Sequence, residues 1–234
     1  MAETLSRRLE VKSLAGVLIL AGGLSTRMGS PKALLKLPSG ETLLDYHVRN
    51  AAKLGVPILI ADNGQGFTTQ VETVNSAIGH IQDYQPHGIN PKEGDKHSAG
   101  PLGAILAGMQ GLLAGNESKW LLVVSCDSLV NSLDIWQYLV EEKVQSLPNS
   151  ATVTDEHDAQ PQMYCLADNE RDYPLLALYQ LALTEPLKTY LDSGERRVMR
   201  FISPISQSVP MPQEWYALSN LNTPEQFQTA CQQL

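Results

Sequence analysis

The sequence predicts an α/β fold: a doubly wound, mostly parallel sheet with helices on both faces. Three observations carry this expectation. Residues 17–20, 57–61 and 120–125 are short, continuous apolar runs without polar alternation, as expected of strands buried on both faces. Between them lie stretches whose apolar residues recur at helical spacing, so strands and helices alternate. Each run ends in small or polar residues (Gly22-Gly23, Asp62-Asn63, Cys126-Asp127), and open parallel sheets bind ligands at the carboxyl ends of their strands.

Taken in order, residues 1–13 read as a polar leader and 14–234 as a single domain. The strand over 17–20 stops at Gly22 and Gly23, which let the backbone turn and a ligand approach it. Residues 33–37 resume an apolar pattern and stop at Pro38-Ser39-Gly40. Thr42 is the expected cap of a helix carried by Leu43, Leu44, Val48, Ala51, Ala52 and Leu54, and Gly55 ends it. A second strand spans 57–61. Residues 68–78 are expected to be helical and 80–83 a short strand. Residues 84–99, with Pro86, Gly88, Pro91 and Gly94, form a long loop. Pro101 suits the first turn of a helix over 102–113. The third strand, 120–125, precedes a helix over 132–144. The second part is less regular. Strands are expected at 151–154, 162–167, 175–179 and near 215–218, helices at 185–191 and 195–202, and a final helix after Asn222-Thr223-Pro224. Residues 155–161 make a polar turn, in which His157 is a solvated residue rather than a metal ligand.

The chain has 234 residues and 43% hydrophobic content, enough for one sizeable core. No apolar run approaches the ~20 residues that span a bilayer, and the amino terminus has no secretory apolar region. No membrane association and a cytoplasmic location are the expectation. The formal net charge of −8 argues against non-specific nucleic-acid binding. Cys126, Cys165 and Cys231 are widely spaced without C-x-x-C, so neither a disulfide framework nor a zinc site is indicated.

The stretch 17–36 carries the chemistry. A strand, a Gly loop, and the cations Arg27, Lys32 and Lys36 describe a site for a polyanion such as a triphosphate. The glycines do not fit the dinucleotide fingerprint G-x-G-x-x-G, and Gly29-Ser30-Pro31 does not fit the P-loop. A triphosphate brings about four negative charges, so an acidic protein must gather cations locally and recruit a divalent metal. Asp127, directly after the third strand, is the expected ligand of magnesium (Mg2+).

The motifs L-A-G-G-L-S-T-R-M-G-S-P-K, A-G-P-L-G-A-I, C-D-S, S-G-E-R-R-V-M-R-F and N-L-N-T-P-E occur in that order from about Leu14 onward. In this the sequence resembles the molybdenum cofactor guanylyltransferases, the MobA family. The resemblance implies a Rossmann-like nucleotidyltransferase fold and Mg2+-dependent transfer of GMP from GTP to the phosphate of molybdopterin, with release of pyrophosphate. It further implies molybdoenzyme apoproteins or their chaperones as partners. By the same resemblance Leu20, Ala21, Gly22, Gly23, Lys32, Asp83 and Asp127 bind the nucleotide. Arg27, Lys32 and Asp127 are catalytic, and Asp127 holds the metal. Tyr173, Arg196, Arg197, Asn220 and Asn222 serve the acceptor, the two arginines near a helix N-terminus. The sequence departs from the family pattern at Ala61, where Asn is frequent, and at Tyr173-Pro174, where His-Pro is usual. The alternatives are a molybdopterin cytidylyltransferase or a sugar-1-phosphate nucleotidyltransferase. From another class comes a non-catalytic GTP-binding or cofactor-delivery protein. L-A-G-G in place of L-A-A-G favours guanine, and retention of Arg27, Lys32 and Asp127 favours catalysis.

Overall fold

The structure is a computed structural model that describes residues 13–22, 30–86, 99–145 and 160–234. Strands β1 (Leu14–Leu20), β2 (Ile58–Ala61), β3 (Ile78–Ile81), β4 (Trp120–Ser125), β5 (Met163–Ala167), β6 (Asp172–Gln180) and β7 (Ser206–Pro210) form one sheet. Its order is β3-β2-β1-β4-β6-β5-β7. Only β6 runs against its neighbours, so the sheet is mostly parallel. The helices are α1 (Leu43–Ala52), α2 (Gly100–Leu112), α3 (Ser132–Gln145), α4 (Thr184–Asp192), α5 (Val198–Ile202) and α6 (Pro224–Cys231).

The continuous apolar strands are explained by helices on both faces. Val17, Ile19, Leu122 and Val124 pack on one side with Leu44, Val48 and Ala51 of α1 and with Ile135, Trp136 and Leu139 of α3. Leu18, Leu20, Leu121 and Val123 pack on the other with Leu102, Ile105 and Met109 of α2 and Leu187 and Leu191 of α4. Successive residues of β1 thus feed opposite layers. Each fully buried Leu or Ile contributes about 1.5–3 kcal/mol relative to exposure.

Three expectations need correction. Residues 68–77 form no helix. The backbone N–H groups of Gly64 and Phe67 bond to the Asp62 carboxylate at 3.0 and 2.8 Å. The N–H of Gln70 and the hydroxyl of Thr69 bond to Asp45 at 2.8 and 2.7 Å. Donors held by side chains cannot enter a helical ladder, and Thr68, Thr69, Val71, Thr73 and Val74 are β-branched, which weakens helix propensity. Near residue 215 there is no strand. Gln213–Leu218 is a 3₁₀ helix begun by Pro212, whose carbonyl accepts from Trp215 N at 3.0 Å. The strand at that edge of the sheet is instead β7, where only Val209 is buried and the apolar signal is correspondingly faint. The helix expected over 195–202 begins at Val198, because Gly194, at φ 89°, ends α4 and leaves 195–197 as a connection. The leader (1–12), most of the loop over 84–99, Gly23, Arg27, the strand at 151–154 and most of the turn at 155–161 lie outside the described residues. Among the described residues no helix is long and apolar enough to cross a membrane.

Helix α1 does more than cover the sheet. Its Tyr46 hydroxyl donates to Leu129 O at 2.8 Å, and His47 Nε2 lies 2.8 Å from Ser128 O. A carbonyl only accepts, so the hydrogen is assigned to Nε2. His47 is fully buried and its Nδ1 has no hydrogen-bond partner among the described residues. Burial pushes its pKa down from 6.5 to about 4. Between those values the unfolded chain binds a proton that the native state refuses. Stability is therefore expected to fall as pH drops from about 6.5 to about 4, by about 3 kcal/mol from this residue. Urea unfolding at pH 7 and pH 4.5 checks this. The His47→Gln variant, which keeps a donor but cannot charge, should lose measurably less stability than the parent. Equal losses in the two proteins would refute the assignment.

Candidate active site

The carboxyl ends of β1–β4 frame a cleft of about 260 Å³ whose lining includes Leu20, Gly22, Asn63, Asp83, Pro101 and Asp127. At its floor the N–H groups of Ala21 and Gly22 both donate to Ala61 O, at 2.9 and 3.0 Å. The chain leaving β1 is thereby tied to β2. A Cβ on Gly22 would stand 3.0 Å from Asn63 Cβ and 3.1 Å from the Asp62 carbonyl carbon, so this glycine is needed for a close backbone approach. Asn63 adopts φ 56°, an uncommon conformation for a residue with a side chain. The buried Asp62 carboxylate, which caps the two N–H groups described above, holds that turn in place. Asp83 reaches the cleft because the backbone after β3 is fixed by Tyr84 N donating to Gly103 O at 3.1 Å.

A second group of side chains meets at the end of β4. Lys32 Nζ donates to Asn222 Oδ1 at 2.7 Å, and Asn222 Nδ2 donates to Asn220 Oδ1 at 2.6 Å. The same ammonium lies 4.0 Å from Asp127 Oδ2. Local structure accounts for the meeting. Lys32 opens a 3₁₀ turn, Lys32–Leu34, anchored by the buried Ala33. Leu221 is fully buried among Leu37, Leu43, Tyr46 and Leu129, and its N–H donates to Asp127 O at 2.6 Å. In extended chain, residues on either side of a buried one share the opposite face, so Asn220 and Asn222 both turn outward. Thr223 and Gln226 form a capping box at the start of α6, and Gln226 Oε1 also accepts from Asn222 N at 2.8 Å. Burial lowers the Lys32 pKa below its usual value, and the Asp127 carboxylate partly offsets this.

The residues expected to serve the acceptor divide. Tyr173 and Asn220 line a further cavity of about 360 Å³ together with Asp168, Arg171, Tyr216 and Gln226. Arg196 and Arg197 lie at the α4–α5 junction. Arg196 Nη1 donates to Leu191 O and Glu195 O, both at 2.6 Å, so it closes the end of α4. Arg197 occupies the N-cap position of α5, without a side-chain cap bond, and its carbonyl accepts from Tyr190 Oη at 2.9 Å. Thus Lys32, Asp127, Asn220 and Asn222 converge, Tyr173 lines the cavity beside Asn220, and the Arg196 side chain and the Arg197 carbonyl are engaged with α4. Sequence reasoning missed Arg171 and the His47–Ser128 support. Asn63 and Pro101 stood in noted motifs without an assigned role.

The close approach at Gly22 gives a direct test of this architecture. Gly22→Ala must displace the Asp62–Asn63 turn and is expected to cost about 1–3 kcal/mol of stability. Chemical denaturation measures it, and an unchanged midpoint would show that the turn has room the geometry denies.

The family model of the MobA-like NTP transferase domain matches residues 17–209. The molybdenum cofactor guanylyltransferase of Yersinia pestis (strain Pestoides F) is 29% identical over 215 residues, covering 91% of this chain and 92% of that protein. The structure of molybdopterin-guanine dinucleotide biosynthesis protein A from Archaeoglobus fulgidus superposes with a TM-score of 0.62 at 16% identity, covering 93% of this chain and 97% of the other. The 2-C-methyl-D-erythritol 4-phosphate cytidylyltransferase of Francisella tularensis gives a TM-score of 0.60 at 14% identity, covering 93% and 98%. At these identities the structural likenesses speak for the fold. The family match runs from β1 into β7, through every strand that frames the cleft, and the chain belongs to the MobA-like NTP transferases, a family of nucleotidyltransferase enzymes.

Proposed function

We propose that this enzyme transfers GMP from GTP to the terminal phosphate of molybdopterin. A phosphate oxygen of the acceptor attacks the α-phosphorus. A new P–O bond forms, the bond to the bridging oxygen breaks, and pyrophosphate leaves. The observation that carries this reading is the convergence of Lys32, Asp127 and Asn222 beside the Gly22 cleft. The attacking group is already an anion, so no strong base is needed. Alignment and charge neutralisation suffice, and Lys32 can supply both to the phosphates. The guanine comes from what the Yersinia pestis relative is named for, the molybdopterin from the name of the Archaeoglobus fulgidus protein, and the cytidylyltransferase likeness makes CTP the natural competitor.

Asp127 fits a divalent-metal role. Its side chain is 35% exposed beside the cleft, a hard oxygen donor open to solvent. Among the described residues no group of three or more His, Cys, Asp or Glu is arranged to hold a metal ion by itself. Magnesium characteristically takes one or two carboxylates and completes its shell with phosphate and water. Bound there, Mg2+ would neutralise charge on the triphosphate and on pyrophosphate as it forms. On this reading residues 14–234 act as one unit, the amino-terminal half for the nucleotide and the carboxyl-terminal half for the acceptor. The reaction belongs to the cytoplasm, with molybdoenzyme apoproteins or their chaperones receiving the product.

The test is turnover of GTP with molybdopterin and identification of the dinucleotide product. GTP should be used with higher kcat/KM than CTP, and equal or better use of CTP would overturn the base assignment. Asp127→Asn should reduce turnover a hundredfold or more, on the order of 3 kcal/mol of transition-state stabilisation. Near-normal activity in that variant would remove Asp127 from the chemistry.

A further inference from the structure

The arginine motif that follows α4 reaches the nucleotide cleft by an indirect route. Arg196 Nη1 bonds to the carbonyls of Leu191 and Glu195, and Leu191 O also accepts from Gly194 N at 3.0 Å. A cationic side chain on the last carbonyls closes a helix end, and Asp192 is the last residue of α4. The Asp192 carboxylate accepts from Tyr84 Oη at 2.7 Å through one oxygen and from Lys188 Nζ at 2.7 Å through the other. Lys188 Nζ also stands 6.0 Å from the centroid of the Tyr84 ring. Tyr84 directly follows Asp83, which lines the cleft.

The sheet alone does not place Asp83. The last pair between β2 and the edge strand β3 is Ala61 with Ile81, so the ladder ends before residue 83. The backbone is next caught at Tyr84, whose N–H donates to Gly103 O at 3.1 Å. Helix α2 comes close here. A Cβ on Gly103 would stand 3.2 Å from Tyr84 O and 3.7 Å from Asp83 Cβ. The Tyr84 ring packs on the apolar layer that α2 and α4 share. A single backbone bond sets the distance to α2 but leaves the chain free to rotate about it. A second bond, at the tip of a rigid ring, removes that freedom. The bonds at Asp192 are exposed and individually weak; what they fix is direction. Direction matters for a carboxylate, which only accepts and whose bonds fail once a donor is more than about 3.5 Å away.

We infer that Tyr84 and Asp192 are positioning residues for the nucleotide, a brace between α4 and the end of β3 that aims Asp83 into the cleft, with Arg196 behind it fixing the turn that carries Asp192. The inference rests on the proposed GTP reading and deepens it. Arg196 then serves the nucleotide without touching it, through Asp192, Tyr84 and Asp83 in turn.

The experiment is equilibrium titration of GTP into the full chain with Mg2+ and without acceptor. Tyr84→Phe keeps the ring and the backbone bond and loses only the hydroxyl. It should weaken GTP binding about fivefold. Asp192→Ala should do the same, and the two together no more than either alone. Arg196→Ala should also weaken binding, and Arg196→Lys, which still carries donors, by less. In an Asp83→Ala background none of these substitutions should lower GTP affinity further, because an effect transmitted through Asp83 ends with it. In turnover, Tyr84→Phe should raise KM for GTP and leave kcat and the KM for molybdopterin at parent values. Parent affinity in Tyr84→Phe, or the same loss with Asp83 absent, would overturn the brace. An Arg196→Ala protein that binds GTP normally and needs more molybdopterin would overturn it too, and return Arg196 to the acceptor. A parent protein that binds no GTP would instead overturn the functional reading on which the brace rests.

Discussion

The site depends on one hydrogen bond that spans the chain. Lys32 and Asn222 are 190 residues apart in sequence and 2.7 Å apart in space. Neither is placed by the sheet alone. Lys32 sits on a short turn beyond the Gly loop, and Asn222 sits between a buried leucine and a capped helix. Their contact brings the two ends of the polypeptide to the carboxyl end of β4, within 4.0 Å of Asp127. In a protein of net charge −8, an amide oxygen and a nearby carboxylate that hold the Lys32 ammonium there, against the cost of its partial burial, are how the proposed phosphate site can gather a cation locally. The asparagines lie beyond residue 209, where the family match ends, so this half of the site rests on the geometry of the chain itself.

The remainder of the fold serves to keep Asp127 still. Parallel strands under two helical layers set the ends of β1 and β4 side by side. Tyr46 and His47 of α1 hold the carbonyls of Leu129 and Ser128, and Leu221 N holds that of Asp127 itself. Three consecutive carbonyls after β4 are therefore fixed from outside the sheet. On the proposed reading, a carboxylate on so restrained a backbone is preorganised for the charge that develops on the phosphates, which is where electrostatic catalysis gains most.

What could be read from the sequence follows from which forces are local. Buried parallel strands are written as uninterrupted apolar runs, so 17–20, 57–61 and 120–125 were plain. Lys32 stood out as a cation beside the Gly loop and Asp127 as an acid directly after a buried strand, whereas Asn220 and Asn222 were marked only by the family resemblance. The segment 68–77 misled because its fate is decided by Asp45 and Asp62, acceptors that meet it only in the folded protein. Strand β7 was hidden because an edge strand with one buried residue has almost no pattern. Arg196 reads as a ligand for anions until its partners, two backbone carbonyls, are seen. Arg171 carries no signature at all, since its stacking on Tyr173 is created by the Asp168 turn.

The claim that Lys32 and Asn222 act as a unit beside Asp127 is tested most directly by a double-mutant cycle in GMP transfer. kcat/KM is measured for the parent, Lys32→Ala, Asn222→Ala and the double variant. If the two side chains work through their mutual hydrogen bond, the double variant should be little worse than Lys32→Ala alone, with a coupling of about 1 kcal/mol or more. Losses that simply multiply would show that the bond joining the ends of the chain has no part in the chemistry.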